Sequence, residues 1–214
     1  FTAGSNTEAY AMLGNGGFAA NGNHSGDITV RAWGDITFTA GSLDDAFAQL
    51  GNGGDASVGN HSGNITVSAG TTGVFSDLGD FDMDMVADMV DFGMMAPADP
   101  LGQIAFNAGS ANDSYAQLGH GGLNARGDHG LAGETISVTA LRDIVFTGGT
   151  STENYVQIGN GGYDADDQEA GPYTAPPTTR AGNQGNIAVA STDGDITFKG
   201  GDGNNSYAQI GHGG

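Results

Sequence analysis

Residues 34–54 read GDITFTAGSLDDAFAQLGNGG, and variants of this stretch recur along the chain. An aromatic, small, polar and aliphatic run leads into Gly-X-Gly-Gly five times, as AYAMLGNGG, AFAQLGNGG, SYAQLGHGG, NYVQIGNGG and SYAQIGHGG. Each run follows a block of GDITF type, and a block of GDITV type comes after it. A supersecondary unit repeated in this way is typical of a solenoid, in which stacked neighbours share one continuous core.

The spacing of the repeats predicts one continuous solenoid domain with two insertions. The aliphatic residue before each Gly-X-Gly-Gly recurs at intervals of 37, 68, 40 and 52 residues, so the basic unit has about 37–40 residues. We assign repeats 1 and 2 to residues 1–70, an insertion to residues 71–102, and repeats 3 to 5 to residues 103–214 with a loop insertion at 163–184. Because the chain begins and stops inside repeat blocks, we interpret it as a window of a longer repeat protein.

Alternation of apolar and polar residues within each block predicts β-strands. Ile36, Phe38 and Ala40 share one face of the block at residues 34–40, and Ile28 and Val30 share the inward face of the block at 26–30. Three short strands per repeat describe one coil of a parallel β-helix, with coils stacked about 4.8 Å apart. We therefore expect an all-β solenoid of about five coils. The alternative layout divides each repeat into two rungs of about 18 residues.

In-register stacking turns like residues of successive repeats into ladders. The predicted inner aromatic ladder contains Phe1, Phe38, Phe106, Phe146 and Phe198, and the inner aliphatic ladder contains Leu13, Leu50, Leu118, Ile158 and Ile210. The predicted outer face contains Tyr10, Phe47, Tyr115, Tyr155 and Tyr207, beside Met12, Gln49, Gln117, Gln157 and Gln209. This outer face is a candidate ligand or interface surface, since aromatic and amide groups suit sugar rings. The alternative is that Gly-rich loops cover it and it only packs.

Charge and composition exclude several classes of function. The chain of 214 residues has 25 acidic and five basic residues, for a formal net charge of −20. Such a surface repels nucleic acid and anionic membranes, so we expect neither as a partner. The absence of cysteine excludes disulfides and thiolate metal sites. No apolar run approaches the roughly 20 residues of a membrane-spanning helix, so no membrane insertion is expected.

Both insertions carry features of their own. Residues 76–93 predict a short helix with an apolar stripe of Phe81, Met85, Met89 and Phe92, which either packs on the solenoid or docks a partner. Its acidic stripe makes calcium the one candidate cofactor, with Asp80, Asp84 and Asp88 as candidate ligands. The insertion at 163–184 holds three of the five prolines and predicts an irregular surface loop.

The histidines are interpreted as turn residues. His120 and His212 occupy position X of Gly-X-Gly-Gly, where the other repeats place Asn15, Asn52 and Asn160. Asn and His both tolerate positive φ, so a left-handed turn explains the exchange better than a metal site. Three further histidines also lie at Gly-rich turns, and we expect no histidine ladder from them: His24, His61 and His129.

Nothing in the sequence predicts catalysis. Polysaccharide-cleaving β-helices need clustered carboxylates with a basic residue nearby, whereas the basic residues here are scattered: Arg31, Arg126, Arg142, Arg180 and Lys199. Nucleophile elbow, phosphate loop and zinc signatures are absent from the sequence. We therefore expect no enzyme activity and assign no catalytic residue.

The blocks GDITV, WGDITFTAGS, YAQLGHGG, YVQIGNGGY and SGNITVSAG resemble repeats of filamentous-haemagglutinin-type bacterial exoproteins, many of which leave the cell by two-partner secretion. The resemblance covers nearly all of the chain except the two insertions. It implies a right-handed parallel β-helix at the cell surface or beyond, acting in adhesion, biofilm formation or toxin delivery.

The leading expectation is a structural extracellular protein, either an adhesin stalk or a subunit that forms fibres. Open coil edges favour self-association, end to end or laterally, and a glycan or another host-surface ligand is a candidate partner. The alternatives are a carbohydrate-binding module that uses the Tyr/Gln face and, third, a polysaccharide-cleaving enzyme.

Overall fold

A computed structural model describes residues 1–70, 102–165 and 182–213 of the chain. These residues form fifteen short strands and no helix. The strands are β1 (Tyr10–Leu13), β2 (His24–Ser25), β3 (Ile28–Ala32), β4 (Ile36–Thr39), β5 (Phe47–Leu50), β6 (His61–Ser62), β7 (Ile65–Ala69), β8 (Ile104–Asn107), β9 (Ala116–Leu118), β10 (Thr135–Ala140), β11 (Ile144–Thr147), β12 (Val156–Ile158), β13 (Asn186–Ser191), β14 (Ile196–Lys199) and β15 (Ala208–Ile210).

All strand pairs are parallel, and each large sheet takes one kind of sequence block. The Gly-X-Gly-Gly runs form a sheet in the order β1-β5-β9-β12-β15, the GDITF blocks form β4-β8-β11-β14, and the GDITV blocks form β3-β7-β10-β13. The short strands β2 and β6 pair separately. This arrangement confirms the all-β, parallel part of the prediction and is compatible with a solenoid.

The register aligns equivalent residues of successive repeats. Phe38 pairs with Phe106 and Phe146 pairs with Phe198, and their rings stack with centroids 4.8 and 4.6 Å apart. Phe1 stacks on Phe38 at 4.7 Å. The aliphatic residues also align across adjacent strands, in the series Leu13, Leu50, Leu118, Ile158 and Ile210. The two inner ladders are thus present as stacked side chains.

The main core is the cluster of buried side chains that the three large sheets contribute together. Phe38, Phe106 and Phe146 expose none of their surface, and neither do Leu50 and Leu118. Burial of a side chain of this size stabilises the folded state by about 1.5–3 kcal/mol. Exposure rises at the outermost strands, where Phe198 is 45% exposed and Leu13 is 38% exposed.

The Asp and Asn residues that open the GDITF and GDITV blocks bind the backbone of the following repeat. Asp35 Oδ1 accepts hydrogen bonds from the backbone N–H groups of Gly102 and Gln103, each at 2.8 Å. Asp27 Oδ1 accepts from Asn64, and Asn64 Oδ1 accepts from Thr135. Asp and Asn interchange here because both present Oδ1 to a backbone donor.

Several expectations fall on residues that the structure does not describe. The predicted helix at 76–93 and the calcium candidates Asp80, Asp84 and Asp88 lie outside the described residues, as does most of the predicted loop at 163–184. Within the described ranges, no helix is long and apolar enough to cross a membrane.

Candidate functional site: the Gly-X-Gly-Gly corner

The aromatic side chains before each Gly-X-Gly-Gly are buried in the middle of the stack. Phe47, Tyr115 and Tyr155 expose no surface and form a second core cluster with Leu123. Their rings stack on one another, with centroids 5.0 Å apart for Phe47 and Tyr115 and 4.7 Å apart for Tyr115 and Tyr155. These aromatic side chains lie on the face of the strand opposite the aliphatic ladder. That face is therefore also packed into an interior, separate from the main core.

This burial corrects the expectation of an outward Tyr/Gln surface. Gln49, Gln117 and Gln157 also expose none of their surface, whereas Tyr10 in the first strand of the sheet is 47% exposed. Tyr207 and Gln209 in the last repeat are half-buried. The alternative interpretation, in which the row is covered and packs, describes the middle repeats, because a sugar ring cannot reach a fully buried aromatic face.

Each buried glutamine joins two successive repeats. Gln117 Nε2 donates to the carbonyl oxygens of Gly159 and Gly161 in the next repeat, at 3.2 and 2.7 Å, while Oε1 accepts from the hydroxyl of Tyr155 at 2.9 Å. Gln49 makes the same contacts with repeat 3. A buried amide without partners costs free energy, so these bonds are what allow glutamine inside the stack.

The last glycine of the block leaves room for the tyrosine hydroxyl. A Cβ atom on Gly122 would lie 2.6 Å from the hydroxyl oxygen of Tyr115, and one on Gly162 would lie 2.3 Å from that of Tyr155. The tyrosine, the glutamine and the last glycine are thus parts of one contact. The sequence repeats them together for this reason.

The junction of repeats 1 and 2 departs from this arrangement at two positions that belong to one contact. Met12 stands in the register position of Gln49, and Phe47 of repeat 2 stands in that of Tyr115. A methionine offers no amide oxygen, and a phenylalanine has no hydroxyl to satisfy. The joint absence of the glutamine and the tyrosine is the feature of the sequence from which the Tyr–Gln contact could have been inferred.

The residues at X accept a hydrogen bond from the X residue of the preceding repeat. The backbone N–H of Asn15 donates to Asn52 Oδ1, that of Asn52 to His120 Nδ1, that of His120 to Asn160 Oδ1, and that of Asn160 to His212 Nδ1, all at 2.9–3.0 Å. Asn Oδ1 and His Nδ1 occupy equivalent places on the two side chains. This shared acceptor explains why the repeats exchange the two residues.

The expectation of a left-handed conformation at X is wrong. None of the X residues has positive φ, whereas the flanking Gly51 and Gly53 have φ of 155° and 112°. A Cβ atom on Gly51 would also lie 1.9 Å from the carbonyl oxygen of Gly119. The left-handed φ and the close approach both fall on the glycines, which leaves X free to be chosen for its acceptor atom.

In repeats 2 to 5 the other end of the X side chain reaches the turn before the GDITV-type block. Asn52 Nδ2 donates to the carbonyl oxygens of Gly26 and Ser62, at 3.1 and 2.9 Å. His120 Nε2 lies 2.9 Å from the carbonyl oxygen of Gly63, and His212 Nε2 lies 3.1 Å from that of Gly185. These X side chains therefore connect the Gly-X-Gly-Gly turn with the turn before the GDITV-type strand.

A histidine ladder is present, contrary to the sequence expectation. The rings of His24, His61 and His129 stack with centroids 5.2 Å apart in both steps. His61 is fully buried, and its Nε2 lies 3.1 Å from the hydroxyl oxygen of Ser57. Burial, together with repulsion from His129, His24 and His120, lowers the pKa of His61 to about 3.

Two carboxyl groups have pKa values displaced in the other direction. Burial and the neighbouring Asp45 and Asp113 raise the pKa of Asp55 to about 8, and Asp55 Oδ2 has no hydrogen-bond partner. Burial and a hydrogen bond with Glu153 raise the pKa of Asp113 to about 7. In the described part of the chain, no group of three or more His, Asp or Glu side chains is placed to hold a metal ion.

The contacts of the corner are contacts between repeats. Glutamine, tyrosine, asparagine and histidine side chains all bind the backbone or side chains of an adjacent repeat or corner. Comparison of the chain with protein-family models, with curated proteins and with solved structures finds no match.

Proposed function

We propose that this chain is a structural, non-catalytic β-solenoid of about five coils, built as a right-handed parallel β-helix, and that it serves as an extracellular stalk or filament segment. The observation that carries the proposal is the repeated binding of one repeat to the next by buried side chains. In the middle repeats, the glutamine and tyrosine side chains that were candidates for ligand binding bind the neighbouring repeat instead.

Resistance to bending follows from the direction of these bonds. Phenylalanine and tyrosine ladders, glutamine amides and X-position acceptors all act along the stacking direction. Stacked parallel strands with identical side chains in register resist bending and local slippage. A stiff rod of this kind can hold a contact site at a distance from the cell surface.

The outermost strands favour continuation of the stack. On one side the sheets end at β1, at β3 and at residues 1–3, which bridge the outer edge of β4, and on the other side they end at β13, β14 and β15. The outer backbone groups there face no strand of the described chain. Apolar side chains are exposed on the same edges, with Ile196 at 39% and Ile210 at 37%. Further repeats of the same kind, from the same or a second chain, would cover both.

A carbohydrate-binding role would need a surface other than the Tyr/Gln row, because its rings are buried in repeats 2 to 4. The resemblance to filamentous-haemagglutinin-type exoproteins supports the extracellular setting, on the residues quoted for it.

Negative-stain electron microscopy of the purified chain tests the proposal. We expect rods whose width is constant and whose length grows with protein concentration through end-to-end contacts. Globular particles would contradict the rod, and rods of one short length at all concentrations would contradict the filament. Far-ultraviolet circular dichroism of the same sample should show β-structure, and a helical spectrum would contradict the fold.

A further inference from the structure

Three buried imidazoles meet at one corner of repeats 2 and 3. His61, His120 and His129 expose none of their surface. His61 stacks on His129, and His120 Nε2 lies 2.9 Å from the carbonyl oxygen of Gly63, two residues beyond His61. We call these three residues the histidine corner.

The bonds of His120 fix its protonation state. Its Nδ1 lies 3.0 Å from the backbone nitrogen of Asn52, and because a backbone N–H only donates, Nδ1 must carry no proton. Its Nε2 faces the Gly63 carbonyl oxygen, which only accepts, so Nε2 carries the ring proton. The ring is neutral in this arrangement. A second proton, on Nδ1, would set two donors against each other in a buried place.

The charged and titratable groups around the corner mostly oppose protonation. His61 faces His129, His24 and His120, and its one hydroxyl neighbour is that of Ser57. Burial lowers the pKa of His120, against the opposite influence of the Gly63 carbonyl and of Glu134. Protonation at this corner therefore requires the contacts around these rings to open.

We propose that the histidine corner is an acid-labile joint, which holds repeats 2 and 3 together at neutral pH and releases them when its rings take up protons. Repeats 1, 2 and 4 place asparagine at X, and an amide oxygen accepts the same bond without titrating. The choice of His or Asn at X thus determines which junction responds to acid. This response is a property beyond the structural role.

The pH range follows from the direction of the shifts. A histidine whose folded-state pKa is depressed contributes stability that is complete above its unfolded value of 6.5 and is lost as the pH falls toward its folded value, which is about 3 for His61. Within that window, each histidine with a depressed pKa raises the unfolding equilibrium constant about tenfold for every unit by which the pH falls. Release is expected between mildly acidic and strongly acidic conditions.

The matched variant is His120→Asn, because the chain itself uses asparagine at this position in three other repeats. Urea unfolding of wild type and variant is compared at pH 7.5 and pH 5. We expect similar stability at pH 7.5, and at pH 5 an unfolding constant that has risen less in the variant than in wild type, by up to about 30-fold for the 1.5 pH units below 6.5. Asp55 and Asp113 titrate in both proteins, so their contributions cancel in the comparison.

His212→Asn serves as the control, since His212 makes the same two bonds in the last repeat but is only half-buried. We expect a smaller change in acid sensitivity there. Equal loss of stability in wild type and His120→Asn would overturn the proposal. NMR titration of the wild-type histidine ring protons provides a second test that needs no variant: a His120 ring that titrates at its ordinary pKa in the folded protein would also overturn it.

Discussion

The hydroxyl group of Tyr155 donates a hydrogen bond to Oε1 of Gln117 across 2.9 Å, and both side chains are completely buried. The two residues are 38 positions apart in sequence and belong to successive repeats. Because the Gln117 amide also binds two backbone carbonyl oxygens of repeat 4, one side chain fastens three groups of the next repeat.

Tyr155→Phe should destabilise the folded chain, because it leaves the buried Gln117 Oε1 without its donor. Loss of one partner of a buried hydrogen bond costs about 1–3 kcal/mol. Urea unfolding at pH 7 measures the change. Tyr207→Phe, whose hydroxyl binds Gln157 at 3.3 Å in a half-buried place, is the control and should cost less. Equal effects of the two variants would show that burial of the contact does not matter.

The pair Met12 and Phe47 permits a gain-of-contact experiment. Phe47→Tyr alone places a hydroxyl in the buried cluster without the glutamine that binds it elsewhere, so it should destabilise. Met12→Gln with Phe47→Tyr should recover stability, with a coupling free energy of about 1 kcal/mol in a double-mutant cycle. Strictly additive effects would contradict the assignment of the two positions to one contact.

Gly51→Ala should be among the most damaging single substitutions. Its φ of 155° lies at the limit of the left-handed region, and a Cβ atom would meet the Gly119 carbonyl oxygen at 1.9 Å. The matched control is Gly133→Ala, where φ is 94° but no atom lies within 4 Å of the added carbon. The control should lose about 1–3 kcal/mol for backbone strain alone, and Gly51→Ala should lose more in thermal or urea unfolding.

Asp55 makes the opposite contribution to pH dependence from that of His61. Its folded-state pKa is raised to about 8, so the stability it contributes is complete below the unfolded value of 3.8 and is lost as the pH rises through 8. Asp55→Leu, which places in repeat 2 the residue that repeat 3 has at Leu123, removes this loss. We expect the variant to gain at least about 1 kcal/mol over wild type at pH 8. A gain that is independent of pH between 5 and 8 would contradict the assignment.

The strands and inner ladders followed directly from the sequence, because alternation and repeat spacing depend only on local periodicity. Phe38 and Leu50 were therefore assigned to the interior from their neighbours alone. The prediction of an exposed Tyr/Gln row was wrong. Alternation shows that Phe47 and Leu50 face opposite sides of a strand, but it does not show whether another part of the chain covers the second side. Burial of Tyr115 depends on that covering chain.

The contacts of the histidines are a second feature that could not be predicted from the sequence. Exchange of Asn52 for His120 at X was explained by backbone conformation, whereas the structure explains it by an acceptor atom aimed at the preceding repeat. The ladder of His24, His61 and His129 was missed because histidine alternates with asparagine at the ring positions, whereas in the structure these three rings stack and only the next level holds asparagine, Asn183. Contacts between repeats require a register that one repeat alone does not define.

The hydrogen bonds at X give the stack a polarity. From Asn15 to His212, each backbone N–H points toward the side-chain acceptor of the following repeat, and the direction never reverses. One end therefore offers an acceptor side chain and the other a backbone donor, so two ends of the same kind cannot complete the series. Any continuation of the series, within one chain or between chains, therefore keeps a single direction.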